Sequence, residues 1–456
     1  MPGKQKKGSN KRADRMLLPS TKTPSSKPSS TKPPAEEEPA KESTKSAPSA
    51  QELASQQKLL SVFQAAYAGV LSSPGFAQTL QEVKAALYDR EFERAFAREE
   101  YLDVYAARWS PTRALGYAAV LEGLREPLDG VLTGGDGSVW APAVVEAGGG
   151  GDEAAERLGD LSLEREASAT NHDTEDVEST SPASREREGN DNVESEQHTA
   201  AAPSKTLKVL ALGGGTAELA AFASFLSKSP DVRGDVTLVD SGPWAGPVSK
   251  LHAALRMPPP IYKYASAAAK AANAPLTNDA QLRYAFLQRD VLSLSADELS
   301  TTLGAEPLLI TLLFTLNELY TGGGIGRTTA LLRALGRAVA PGSLLLVVDS
   351  PGSYSEAAVG GKEKKKYPMS WLVDHTLLRA GEDRAKRKPE GEEDSQTKDE
   401  KDKTDVKVEG CKWGKVQENE SVWFRLSDEL KFPIQLENMR YQLHLYRAIS
   451  TTENKK

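Results

Sequence analysis

Read for apolar and polar positions, the chain falls into two patterned stretches set among unpatterned ones. Between 51 and 127, apolar residues recur at three- and four-residue spacing, with Leu59, Phe63, Ala66 and Val70 on one stripe and Phe76, Leu80, Val83 and Leu87 on another. That spacing predicts amphipathic helices. Ser73-Pro74 separates the two, and Ser110-Pro111 reads as an N-cap with proline at the first helical position, opening a helix through Leu115, Val120, Leu121 and Leu124. From 205 the pattern changes to short runs, apolar on both faces, that alternate with helix-like stretches. Strands are expected at 208–212, 235–239, 284–289, 307–314 and 343–348, the signature of a parallel sheet with crossover helices. A helix holding Trp371, Leu372 and Val373 follows, and then a late strand pair at 421–426 and 438–447. In the second of these, Met439, Tyr441, Leu443 and Leu445 alternate with Arg440, Gln442 and His444. The expected fold is α/β and Rossmann-like, a mostly parallel seven-stranded sheet preceded by a helical module.

The unpatterned stretches differ in charge. Residues 1–50 are rich in Lys, Ser, Thr and Pro and open with Lys4, Lys6, Lys7, Lys11, Arg12 and Arg15 against Asp14. Such a segment cannot bury enough apolar surface to offset its ordering entropy, so it reads as a disordered basic tail, a nuclear or nucleolar address or a phosphate-binding arm. Residues 128–204 form an acidic, Ser/Thr-studded linker, and a charged insertion at 381–409 interrupts the domain expected over 205–450. The net charge of −7 therefore averages segments of opposite character. Cys411 is the single cysteine, which excludes an intramolecular disulfide and a Cys-rich zinc site and fits a reducing compartment. The histidines at 172, 198, 252, 375 and 444 have no metal-ligand spacing. No apolar run reaches membrane-spanning length, and no secretory signal follows the basic start.

The chemistry gathers at strand ends. The first strand runs through Ala211-Leu212 into Gly213-Gly214-Gly215-Thr216-Ala217-Glu218 and then a helix, so glycines allow close approach of a ligand and a helix N-terminus offers it N–H groups. The next strand ends in Asp240, where a carboxylate can accept both hydroxyl hydrogens of a ribose. Strand, glycine loop, helix, strand and acid make a nucleoside-binding unit, one that does not by itself separate NAD from S-adenosylmethionine. Asp290, after the third strand, suits either an adenine amino group or the cap of the helix that follows. The fourth strand ends in Phe314-Thr315-Leu316-Asn317-Glu318-Leu319, at the carboxyl edge where open α/β sheets bind ligands.

Together with Leu238 to Trp244, Gly342 to Tyr354, Leu436 to Arg440 and the helical stretch Tyr105 to Pro111, these motifs resemble the fungal family of 25S ribosomal RNA uridine-N3 methyltransferases. The resemblance covers about 51–127 and 205–448. It implies a class I methyltransferase fold, S-adenosylmethionine as donor and N3-methyluridine in large-subunit rRNA as product. By the same resemblance Gly213, Gly214 and Gly215 would contact the methionine side of the donor, Asp240 its ribose and Asp290 its adenine, with Phe314 and Asn317 at the cofactor site. Ala211 replaces the acid that commonly opens the class I glycine motif, and Ala217 stands where a last glycine often sits.

Methylation at uracil N3 requires loss of the N3 proton, and Asp349 and Glu318, both at strand ends, are the candidate bases; strand-end carboxylates also cap helices or bind backbone N–H groups. N3 lies on the Watson–Crick edge, so the target must be unpaired or extruded, and Trp244, Tyr320 and Tyr354 are candidates to stack on it. Lys362, Lys364, Lys365 and Lys366, with Arg108 and Arg113, could follow an RNA backbone. The expected partner is large-subunit rRNA or a pre-ribosome, and the expected site of action is the nucleolus, nucleus or cytoplasm. Two other readings stand beside this one: a ribosome-assembly factor that keeps the fold without catalysis, and a methyltransferase of small molecules or proteins. An oxidoreductase is disfavoured by the late strand pair.

Overall fold

Strands that are apolar on both faces need cover on both, and the chain supplies it from two separate sets of helices. The computed structural model describes residues 48–134, 204–261, 263–271, 273–352, 354–357, 365–378 and 411–450. The basic tail before 48, the acidic linker from 135 to 203 and the charged insertion lie outside the described residues.

The first helices are α1 (Ala50–Ala66), α2 (Ala68–Leu71), α3 (Phe76–Tyr88), α4 (Phe92–Ala95), α5 (Glu99–Arg108), α6 (Ser110–Gly123) and α7 (Arg125–Asp129). The Ser49 hydroxyl accepts the Glu52 N–H at 3.2 Å and starts α1, which buries Leu59, Leu60, Val62 and Phe63. On α3 the buried stripe is Thr79, Val83 and Ala86, with Leu80 and Leu87 at its flanks. Ser110 departs from its expected part. It is the first residue of α6 and is itself buried, with Trp109 in the capping position, and its hydroxyl accepts a hydrogen bond from Thr216 at 2.9 Å. The hydroxyl ties α6 to the helix after the glycine loop, so a tertiary contact takes the group that local capping would have used.

The sheet is built from β1 (Thr133–Gly134), β2 (Lys205–Leu212), β3 (Val232–Asp240), β4 (Leu282–Gln288), β5 (Leu309–Leu313) and β6 (Leu344–Asp349). Between these strands run α8 (Thr216–Leu226), α9 (Ala245–Leu255), α10 (Ala267–Ala271), α11 (Ala296–Leu303), α12 (Leu316–Glu318) and α13 (Gly324–Ala338). A hairpin, β7 (Tyr354–Ala357) and β8 (Lys365–Pro368), leads to α14 (Met369–Leu378), and the late pair is β9 (Cys411–Phe424) and β10 (Met439–Ser450). The strand order is β4-β3-β2-β5-β6-β10-β9, with β1 paired to the start of β2. Strands β4 through β6 are mutually parallel and β10 runs antiparallel to both β6 and β9, the class I methyltransferase arrangement expected from sequence. Every residue of β5 and β6 is buried, which accounts for their unbroken apolar runs.

Strand β9 begins ten residues before the position expected for it, at Cys411. After the buried Trp413, its stretch through Lys415, Gln417, Glu418 and Glu420 is a largely solvent-facing edge where charge guards against stray pairing, so apolar alternation is missing there. One core joins α1, α5, α6, α8 and α9 to one face of the sheet. A second joins α11, α13 and α14 to the other. The first helices are thus part of the sheet's own cover: Tyr67 is wholly buried and its hydroxyl donates to the Pro247 carbonyl of α9 at 2.7 Å, as a buried hydroxyl requires.

Candidate functional site

Chain order reverses at β2, between β3 and β5, and the crevice at the carboxyl ends of these strands is where such sheets bind ligands. A pocket lies there. Its walls come from the glycine loop (Gly213, Gly215, Thr216, Ala217, Glu218), the end of β3 (Asp240, Trp244), the end of β5 (Leu313, Phe314, Thr315, Glu318) and the helical segment (Phe96, Tyr105, Ser110, Arg113, Tyr117).

The loop has the shape its glycines permit. Gly213 has φ of +71°, and a Cβ there would stand 2.3 Å from the Thr315 side chain. Gly214 turns back on the strand, where a Cβ would meet Ala211 at 2.6 Å. Gly213 and Gly215 therefore face the pocket while Gly214 does not. Ala211, which stands in place of the usual acid, leaves room for this fold-back. A carboxylate is present nonetheless: Glu218, buried on the first turn of α8, accepts the Gly215 N–H at 2.8 Å. Loss of hydration pushes it up to about 7, against the pull of that N–H and of Arg113.

Asp240 closes β3. One of its oxygens accepts the Gly242 N–H at 2.7 Å, and burial pushes the carboxyl up to about 6 although Gly242 and Trp244 hold it down. Across the pocket, burial pushes Glu318 up to about 8; Arg113 opposes the rise, while Asp240, Asp349 and Glu218 add to it. Arg113 is the only cation among the lining residues. Its guanidinium bonds the Tyr105 hydroxyl and lies 5.3 Å from the Tyr105 ring and 4.9 Å from that of Phe314. Phe314 itself has φ of +59°, a costly conformation for a side chain of its size. The strain sits where β5 breaks into α12 and a π-helical turn, Leu319–Gly323.

Of the residues singled out in sequence, Gly213, Gly215, Asp240, Trp244, Phe314, Glu318 and Arg113 meet in the pocket. Asp349 does not line it. Buried at the end of β6, it accepts the Asn317 N–H at 3.0 Å and the Ser350 N–H at 2.7 Å, so it fixes the turn that carries Glu318. Asn317 also stays outside, present through its backbone. Asp290 takes the capping alternative: it accepts the Leu292 N–H at 2.9 Å and pairs with Arg327 at 3.0 Å. Tyr320 packs in the second core, and Arg108 is engaged by Glu437, so neither is available as sequence proposed. Lys362 and Lys364, and the side chains of Tyr354, Lys365 and Lys366, lie outside the described residues. Sequence reading did not place Tyr105, Tyr117 or Glu218 in the site. The first two come from the helical segment, and only the glycine motif's own Glu218 carried a signal, its position three residues after Gly215.

The pocket suits S-adenosylmethionine. Gly213 and Gly215 bring backbone to the pocket and pack too closely on Thr315 and Trp244 for a Cβ, Asp240 offers a carboxylate at the strand end, and aromatic rings and acids favour a cation. Among the described residues no cluster has metal-ligand geometry, and no helix is long and apolar enough to cross a membrane.

The chain is 25% identical over 378 residues, 81% of this chain and 77% of the relative, to the 25S rRNA (uridine(2843)-N(3))-methyltransferase of Saccharomyces cerevisiae. Among solved structures, an O-methyltransferase family 2 protein from Planctomyces limnophilus matches at 17% identity and TM-score 0.19 over 32% of this chain, and the match spans 31% of that chain. The antibiotic-resistance methyltransferase Kmr matches at 14% identity and TM-score 0.25 over 55% of this chain and 90% of its own. A family model described as SAM-dependent methyltransferase matches residues 63–447, running from α1 through the glycine loop and Asp240 into β10. The chain belongs to that family of S-adenosylmethionine-dependent methyltransferases.

Proposed function

We propose that the protein methylates N3 of a uridine in large-subunit (25S) ribosomal RNA, a step of ribosome biogenesis. The observation that carries this reading is the half-buried Glu318 carboxylate, which lines one pocket with the glycine loop and Asp240 and is pushed up to about 8 by its burial there. The yeast relative is named for this reaction.

The backbone of Gly213 and Gly215 and the Asp240 carboxylate would hold the donor, and Arg113 would meet the carboxylate of its methionine moiety. S-adenosylmethionine supplies an electrophilic methyl group on sulfur, which departs as a neutral thioether. The uracil N3 is a poor nucleophile until it loses its proton. Ionised Glu318 takes that proton, and a base whose own proton affinity lies near neutrality is well matched to the task. The nearby Arg113 charge keeps Glu318 from rising further and so preserves an ionised fraction. Asp349 acts indirectly, holding the Asn317 N–H and with it the turn bearing Glu318. The rings of Tyr105, Trp244 and Phe314 exclude water and offer faces to an extruded base. Such work is done in the nucleolus, the nucleus or the cytoplasm.

Incubation of the full chain with methyl-labelled donor and deproteinised large-subunit rRNA, followed by nucleoside analysis, tests the reading. Label is expected in N3-methyluridine and is expected to vanish with Asp240→Ala. Label confined to another nucleoside, to protein or to a small molecule would refute it.

A further inference from the structure

Resting on the RNA reading above, we infer that Trp423, framed by Arg425 and Arg440, is a docking platform for the single-stranded RNA flanking the reacting nucleotide. The strand alternation of β9 sets this up. Phe424 turns inward with Met439 against Gly116 of α6, so Trp423 faces outward and leaves 49% of its surface in water. Half of the indole is left in water, and two cations overlie it. The guanidinium carbon of Arg425 lies 5.3 Å from the ring centre and that of Arg440 lies 5.7 Å from it.

Arg440 stands directly across from Trp423 in the β10–β9 register, and its Nε donates to the Ser421 hydroxyl at 2.9 Å, which fixes the cation beside the ring. An indole overlaid by guanidinium groups suits a polyanion whose bases stack: indole and guanidinium planes both take bases, and the arginine charges take phosphates. Glu437, in the loop joining the two strands, is engaged by Arg108, so its charge is not set against the patch.

Position joins the patch to the pocket. Gln442 of β10 pairs with Asp349, the last residue of β6, so Arg440 and Trp423 lie beyond that point at the carboxyl edge, where the pocket opens. Helix α6 packs on the opposite face of the same strand pair: Arg113 and Tyr117 line the pocket while Gly116, between them, rests on Met439 and Phe424, the inward neighbours of Arg440 and Trp423. RNA entering the pocket with its target base can continue over this edge to Trp423.

The test uses the full chain and a fluorescein-labelled single-stranded oligouridine of about 12 nucleotides, within the span such surfaces cover. Trp423→Ala is expected to weaken binding about tenfold, the scale of one lost stacking contact, with S-adenosylmethionine affinity unchanged. Trp423→Phe should keep most of the affinity, and Arg440→Gln should reduce the salt dependence by about one counterion. If Trp423→Ala also loses the donor, ultraviolet cross-linking of the wild-type chain decides, with uridine expected on the peptide that holds Trp423. Wild-type affinity undiminished in Trp423→Ala and Arg440→Gln, or cross-links only elsewhere, would overturn the platform alone. A wild-type chain without affinity for RNA would overturn the RNA reading itself.

Discussion

Strand β3 carries one acid near its start and another at its end, and the two are treated differently. Asp235, buried toward the amino edge, receives Arg283 Nε at 3.1 Å and Arg233 Nη2 at 3.5 Å. Asp240, at the carboxyl edge, is held by the Gly242 N–H and by Trp244, and among the described residues no ion pair neutralises it. Glu218 and Glu318 share its condition: burial raises all three, and Arg113 opposes the rise only at the two glutamates. A charge that only has to be tolerated is cancelled by its neighbours. One that must receive a ligand or a proton keeps its oxygens open at a cost in stability.

The contrast can be broken at either end. The largest effect is expected from Glu318→Gln, which removes the base and should slow single-turnover methyl transfer by about 10² to 10⁴-fold while donor affinity stays within about threefold. A rate near that of the wild type would remove Glu318 from the mechanism. Asp235→Ala should cost about 3 kcal/mol in chemical denaturation, because two arginines lose their shared partner, and should leave donor affinity unchanged. Asp240→Ala should do the reverse: calorimetry should find S-adenosylmethionine bound about 100-fold more weakly, the worth of two hydrogen bonds to a charged acceptor, with no loss of stability in the ligand-free protein.

A smaller effect follows from pH. Asp240 and Glu318 hold protons in the folded state, up to about 6 and about 8, that ordinary carboxylates in the unfolded chain have already lost. The contribution of these two groups to the stability of the ligand-free protein should therefore be full below the ordinary carboxylate range and be lost as pH rises through those values. Donor binding, which uses ionised Asp240, should strengthen about tenfold between about pH 5 and about pH 7, with proton release seen as a buffer-dependent heat. A flat profile in the wild type, or an unaltered one in Asp240→Ala, would contradict the assignment.

Much of this was legible in the chain because parallel strands write their burial directly into composition: β5 and β6 are apolar throughout, and the acid after β3 is placed by the strand it ends. The helical segment was legible as helices but not as pocket wall. Periodicity tells that one side of α6 is buried, whereas the meeting of Arg113 and Tyr117 with Glu318, some two hundred residues on, in one pocket is a product of topology. Strand-end carboxylates look alike in sequence. Asp349 and Asp290 accept backbone N–H groups, and Glu318 lines the pocket, because the partners of each are brought by the tertiary fold. The start of β9 was hidden for a related reason, since an exposed edge strand has no apolar face to announce it.

The open acids of the carboxyl edge are assigned here to methyl transfer onto a uridine of large-subunit rRNA. That assignment is tested most directly by mass spectrometry of nucleosides from large-subunit rRNA in cells lacking the gene, rescued with wild type, Asp240→Ala, Glu318→Gln or Asp235→Asn. The account predicts that N3-methyluridine falls and returns with wild type and with whatever Asp235→Asn protein folds, but not with the two pocket variants. An unchanged N3-methyluridine level in the absence of the gene, or full rescue by Asp240→Ala and Glu318→Gln, would contradict it.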